Sequence, residues 1–201
     1  MGNPTNKAMI SEVSICNQAL TWLGQDPITS FDDNLDTAQW CRNNYRFLRD
    51  AVLESRMWTF ATARYVSTSA DKPVWGGGFV HTLPPSWISV FRCYQPGSMG
   101  TPLPLNWRLE GGQVIAEYET IWMWGVVGVE DTQKFTPLFA QALAARIAAD
   151  GAIPFTENRN LQSDMWKLYD AKLAEAAARD GQQGTNDKLR SDTLINARGV
   201  W

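Results

Sequence analysis

Glu117 and Glu119, with Glu110 close by, are the residues best spaced for chemistry in this chain. Residues two apart on a strand face the same way, which puts these two carboxylates roughly 6 to 7 Å apart on one face. Glu110 is expected across a hairpin from the start of that strand. Glycoside hydrolases work with two carboxyl groups about 5 to 9.5 Å apart, so a peptidoglycan-cleaving site is geometrically conceivable. Any exposed strand face with two acids meets the same criterion, and solvated edge acids are the simpler account.

The remaining chemistry-bearing residues offer less. His81 is the sole histidine. One imidazole builds neither a triad nor a histidine-based metal site without special partners, so a satisfied core or surface histidine is expected. Gly76-Gly77-Gly78 runs into Phe79-Val80 with no lysine to reach a phosphate, which predicts a plain loop. Cys16, Cys41 and Cys93 form no CxxC, and the first two fall on apolar stripes, so buried reduced thiols are expected in place of disulfides. Arg42, Arg46, Arg49 and Arg56 recur along one segment, with Asn43 and Asn44 between them. They could form a basic stripe, but Asp50 and Glu54 interrupt it, and a solvated or subunit-facing helix surface explains it as well. A net charge of -3 and a pI near 5.2 argue against binding nucleic acid by neutralising phosphates. No catalytic residue, cofactor or metal is expected, and the chain reads as a non-enzyme.

These residues must be positioned by the elements around them. At 201 residues, with 44% hydrophobic and 19% charged, the chain can build one domain or a domain with a small satellite. Met9, Val13, Cys16, Leu20 and Leu23 recur at helical steps, predicting a helix over 11–23 with Ser11 as cap and Gly24 as stop. A second helix follows, capped by one of Asp32, Asp33 or Asp36. Its stripe is Ala38, Cys41, Tyr45, Leu48 and Val52, with Arg49 and Asp50 mostly off it, and it ends near Arg56-Met57. The two read as a hairpin packed through their stripes.

From Trp58 to about Asp131 short extended runs alternate with Gly and Pro. Among them, Trp107-Arg108-Leu109-Glu110, Gly111-Gly112 and Gln113 to Tyr118 predict a β-hairpin, because glycine supplies the positive φ of the turn. Thr136-Pro137 then starts an alanine-rich helix ending at Gly151, placed in the middle of a bundle, and Thr156 caps a fourth helix that stops at Gly181. The predicted class is α+β: mainly a bundle of about four helices with a small antiparallel β insertion between the second and third. The predicted units are 1–57, a helical hairpin; 58–132, the β insertion; 133–180, a helical pair; and 181–201, a flexible tail.

The ten tryptophans suit either a Trp-rich core or extensive partner contacts. The tail is polar to Asn186 and then apolar, with Leu194, Ile195, Val200 and Trp201 lacking an obvious burial place. It either packs back on its own bundle or docks onto another protein. Met1 to Lys7 precede no apolar run, and Asn6 stands where a myristoylation signal wants Ser or Thr, so neither signal peptide nor lipid is expected. No run is long enough to span a bilayer, and assembly in a cytoplasm is expected.

Specific residues carry a family resemblance. Glu12-Val13-Ser14-Ile15-Cys16-Asn17-Gln18-Ala19-Leu20, Leu23-Gly24 and Ile28 to Asp33 resemble the start of phage tail tubular protein A and related head-to-tail adaptors, or connectors. Cys41, Tyr45 and Arg49 to Leu53 followed by Trp58-Thr59-Phe60-Ala61 are similar as well. So are Leu83-Pro84-Pro85-Ser86-Trp87, Trp107 with Glu110 to Ile115, Ala140 to Ala149, Tyr169 to Ala178, and Arg190, Asp192, Leu194 and Ala197-Arg198-Gly199. The resemblance covers most of the chain, and its specificity lies in the ordered set.

It implies a virion structural protein at the head–tail junction, forming a ring, commonly dodecameric, beneath the portal. The ring would also meet the tail tube or nozzle protein and line the DNA exit channel without sequence-specific contacts. Helices would form the ring wall, and an isolated subunit could be monomeric. The tail would reach the portal through Leu189, Arg190, Leu194, Ile195, Arg198, Val200 and Trp201. The alternatives are a tail-associated peptidoglycan hydrolase and another connector, a stopper or terminator, which the resemblance would place among mainly β proteins.

Overall fold

A computed structural model describes residues 9–97 and 102–182. The first helix, α1 (Glu12–Trp22), starts as predicted: Ser11 accepts from the Ser14 amide, and Ser14 Oγ accepts from the Ser11 amide at 2.8 Å. Gly24 takes φ +68° and ends it. The Asn17 side chain then grips Ile28 through both its N–H and its C=O, each at 2.8 Å, and folds the connection back onto α1.

α2 (Asp36–Glu54) buries the predicted stripe of Ala38, Cys41, Tyr45, Leu48 and Val52. Three local expectations fail. None of the aspartates caps α2: its N-cap is Leu35, without a side-chain bond, and Asp33 instead accepts from the Thr29 and Ser30 amides. Arg49 is buried rather than off the stripe, and it pairs with Asp50 at 2.8 Å. α1 and α2 touch each other little; each lays its stripe mainly on the third helix.

That helix, α3 (Pro137–Thr156), is capped by Thr136 and buries Ala140, Ala142, Ala144, Ala145, Ala148 and Ala149. Small side chains let three neighbours approach it closely. It does not stop at Gly151. A Cβ there would meet the Phe155 ring at 3.0 Å and Leu23 at 3.4 Å, so this glycine serves close packing, not termination. Thr156 donates to the Ala152 carbonyl inside α3, and Asn158 caps α4 (Arg159–Gly181) in its place.

The predicted class needs correction, because the β part is no small insertion on a mainly helical bundle. Among the described residues between α2 and α3 lie two short 3-10 turns (Thr59–Ala61 and Thr132–Lys134) and seven strands. These are β1 (Thr62–Thr68), β2 (Phe79–Thr82), β3 (Trp87–Pro96), β4 (Pro102–Pro104), β5 (Trp107–Glu110), β6 (Gln113–Ala116) and β7 (Thr120–Val127). They form two antiparallel sheets, β1-β7-β3-β4 and β2-β6-β5. The fold is α+β, with four helices and two sheets among the described residues. The predicted Gly111-Gly112 hairpin is present, with φ +57° and +78° and Glu110 opposite Gln113. The β1–β7, β2–β6 and β3–β7 pairings join strands far apart in the chain, which local turn signals do not announce.

Two cores result. The larger joins the helices to the near end of the four-stranded sheet through Val126, Val129, Phe60, Ile88 and Phe91. Trp58, fully buried, sits at this junction, edge-on to Phe139 at 5.0 Å and donating from Nε1 to the Val52 carbonyl. The smaller, with Cys93, Val114, Ala116, Ile121 and Met123, lies between the sheets. A clasp closes the circuit: buried Asp180 near the end of α4 accepts from the Thr59 amide and, at 2.7 Å, from its hydroxyl. No described helix is long and apolar enough to cross a membrane.

Candidate interaction surfaces

His81 on β2 is fully buried, and both ring nitrogens are occupied. Nε2 lies 3.0 Å from the Tyr118 carbonyl, which can only accept, so Nε2 carries the proton. Nδ1 lies 3.0 Å from the Ser67 hydroxyl on β1. The imidazole thus ties β2 to β1 and to the bend after β6, and it has no nitrogen left for a base or ligand role. This is the satisfied core histidine expected from the sequence.

The carboxylate pair loses its basis. Glu117 and Glu119 are exposed and lie in the bend between β6 and β7, not on a strand, so period-two alternation does not put them on a shared face. Glu110 forms an exposed ion pair with Arg108 on its own strand. The glycine triplet is a loop, as expected. Gly78 takes φ +104°, and a Cβ on it would meet the Ala116 carbonyl.

The arginine row does not form one stripe. Arg42 pairs with Asp32 at 3.4 Å, Arg46 and buried Arg49 both turn to Asp50, and Arg56 lies over Trp58 at 5.2 Å. All three cysteines are free and buried. The Cys16 thiol, hydrogen-bonded to Cys41 across α1 and α2 and shielded from water, is held well above the ordinary thiol range. Burial alone pushes Cys93 up to about 12. Such thiols are inert at neutral pH. Among the described residues no group of acids, histidines and cysteines could hold a metal ion.

Two surfaces that sequence patterning missed stand out. One is the outer face of the four-stranded sheet. Ser67, Ile121, Met123 and Cys93 are buried, so alternation turns their neighbours outward. Register then sets two rows across the strands: Arg64–Trp124–Arg92 and Val66–Trp122–Tyr94. Arg64 and Arg92 are exposed, Val66 is 57% exposed, and Trp122, Trp124 and Tyr94 are half-buried. None of these three aromatics belongs to either core. The Arg64 guanidinium lies 5.7 Å from the Trp124 ring centre. Phe60, Thr62, Arg64 and Val66 alternate with small or polar residues in the sequence, but the register that assembles the rows is a long-range property.

The other surface is a pair of adjoining hollows that share Asp32. One is lined by Glu12, Phe31, Glu130 and Asp131 among others, the second by Asp33, Leu35, Asp36 and Arg42. Backbone N–H groups of Thr29 and Ser30 hold the Asp33 carboxyl below its usual range, so it stays ionised. Leu35 is 48% exposed amid these acids.

The tail residues singled out for docking, Leu189, Arg190, Leu194, Ile195, Arg198, Val200 and Trp201, lie outside the described residues. No protein-family model matches the chain, and no curated protein matches it.

Proposed function

We propose that this chain is a head-to-tail adaptor subunit of a tailed-phage virion, assembling as a ring beneath the portal and contributing to the channel through which DNA leaves. The ordered run of family-like segments from Glu12 to Gly199 carries this proposal. The order of elements supports it: a helical pair, the β region, and a second helical pair whose central member packs against the other three helices. So does the outward display of tryptophan, tyrosine and arginine, residue types over-represented at the energetic centres of protein interfaces. In this role the chain catalyses no reaction. The fully engaged His81 and the exposed, bend-borne Glu117 and Glu119 are consistent with that.

The test is negative-stain imaging of the purified chain mixed with portal rings. Adaptor density stacked coaxially on the portal is the expected result; free portals beside unassociated chain would overturn the proposal. Removing 187–201 should abolish this stacking and leave the circular dichroism spectrum and melting curve nearly unchanged. Equal binding by the shortened chain would reject the tail as the portal contact.

A further inference from the structure

The outer face of the β1-β7-β3-β4 sheet is unusual for a surface. Its middle rows present two tryptophans, a tyrosine, a valine and two arginines, and neither row contains an acid. A solvated sheet face ordinarily alternates to polar residues, and half-exposed tryptophans outside any core are costly to leave in water. The helical core covers this face only at its near end, where Val126 is buried. Beyond it the rows of Trp124 and Trp122 belong to neither core, and Arg64, Arg92 and Val66 within them are exposed.

We propose that a second copy of this chain covers this face with its acidic hollows, so that identical subunits join head to tail. The inference rests on the ring proposed above and supplies its contact. Charge complementarity selects the occupant. Arg64 and Arg92 form a local positive surplus on a chain of net charge -3, and the hollows around Asp32 gather much of the negative excess. Exposed Leu35 within them offers an apolar contact for the tryptophans. The two surfaces are different parts of one subunit: Glu130 lies past the end of β7, eight residues beyond Trp122. A contact between unlike patches is heterologous, the kind of contact that builds a ring when its repeated rotation closes. Single-stranded nucleic acid also stacks on aromatic platforms flanked by arginine. That occupant leaves the acidic hollows without a role, and two arginines neutralise few phosphates.

A reciprocal charge swap tests the contact in the full-length chain. One variant carries Arg64→Glu and Arg92→Glu, the other Asp36→Arg and Glu130→Arg, at exposed positions whose side chains make no hydrogen bond among the described residues. Ring formation is scored by negative stain and sedimentation velocity, alone and on portal. Each variant alone should need about a hundredfold more protein than wild type to form rings, because the first sets acids against acids and the second cancels most of the hollows' negative charge. An equimolar mixture should assemble nearer the wild-type concentration, since in an alternating ring the introduced glutamates meet the introduced arginines and every other contact keeps the native pairing. If either variant melts early, Arg64→Gln with Arg92→Gln should still weaken assembly about tenfold.

Rings formed by the variants as readily as by wild type would overturn the interface and leave the ring intact, as would a mixture that fails to recover. A wild-type chain that never forms rings, even with portal, would overturn the ring and the interface together. Binding of a fluorescent oligo-dT that is lost with the two arginines while ring assembly persists would assign the face to nucleic acid, against the proposal.

Discussion

Gly125 and the buried thiols show how single positions are constrained by packing. Gly125 sits on β7 opposite the irregular stretch of β3, and a Cβ there would run into the Ser89 carbonyl and the Trp87 ring. A backbone carbonyl and a cored indole have little freedom to retreat, so Gly125→Ala should cost about 3 kcal/mol or more in urea unfolding. A loss below about 1 kcal/mol would mean that β3 and β7 do not approach as described. Cys93 makes a pH prediction. Its folded pKa, about 12, exceeds the roughly 8.5 of an unfolded thiol, so in this window the native state binds the extra proton. The stabilisation is complete below about pH 8.5 and disappears as pH rises toward 12. The urea midpoint should therefore fall from pH 8 to pH 10, and less steeply in Cys93→Ala. Equal slopes would show that Cys93 is not shielded. At this scale the sequence was informative: His81 satisfied, three reduced buried thiols, Ser11 and Thr136 as caps. It failed where role depends on neighbours remote in sequence. Asp33 serves the Thr29–Ser30 turn, Arg49 is buried, and nothing in the local pattern reveals either.

Elements with one repeating face were legible because a helix repeats its environment every turn. Every predicted member of the α2 stripe is buried, with Arg49 and Leu53 added to it, and α1 was correct to within a residue at each end. Leu20→Ala and Leu48→Ala, on those stripes, should each cost about 2 to 5 kcal/mol, measured by chemical denaturation. A value near zero for either would place that side chain outside the core. Strands were legible as extended runs between Trp58 and Asp131, but their partners were legible only where a turn announced them. Gly111-Gly112 revealed β5 and β6, whereas β1, β3 and β7 find one another across long gaps, and no two-residue turn links them. This is why the β region reads as a minor insertion in sequence but occupies two sheets in space. Gly151 illustrates the converse error: a glycine that looks like a terminator is there because Phe155 and Leu23 leave no room for a methyl group.

For the whole molecule, the tryptophans that composition singles out are shared between core and surface. The tryptophans divide: Trp58 is buried, Trp22, Trp40 and Trp166 flank the helical core, and Trp87 and Trp107 flank the smaller one. Trp122 and Trp124 face outward, and Trp75 is 83% exposed in the loop before β2. The candidate interface could not be read in advance, because its rows exist only once β1, β7 and β3 are in register. The arrangement of α1 and α2 around α3 also bears on synthesis. Their apolar stripes face a helix that leaves the ribosome about a hundred residues later, and α4 is held to Thr59 by Asp180 across 121 positions of sequence. The amino-terminal third must therefore wait, sticky and uncovered, until nearly the whole chain has emerged. A nascent chain stalled before α3 should be protease-sensitive and a chaperone client, and one released after α4 should be neither.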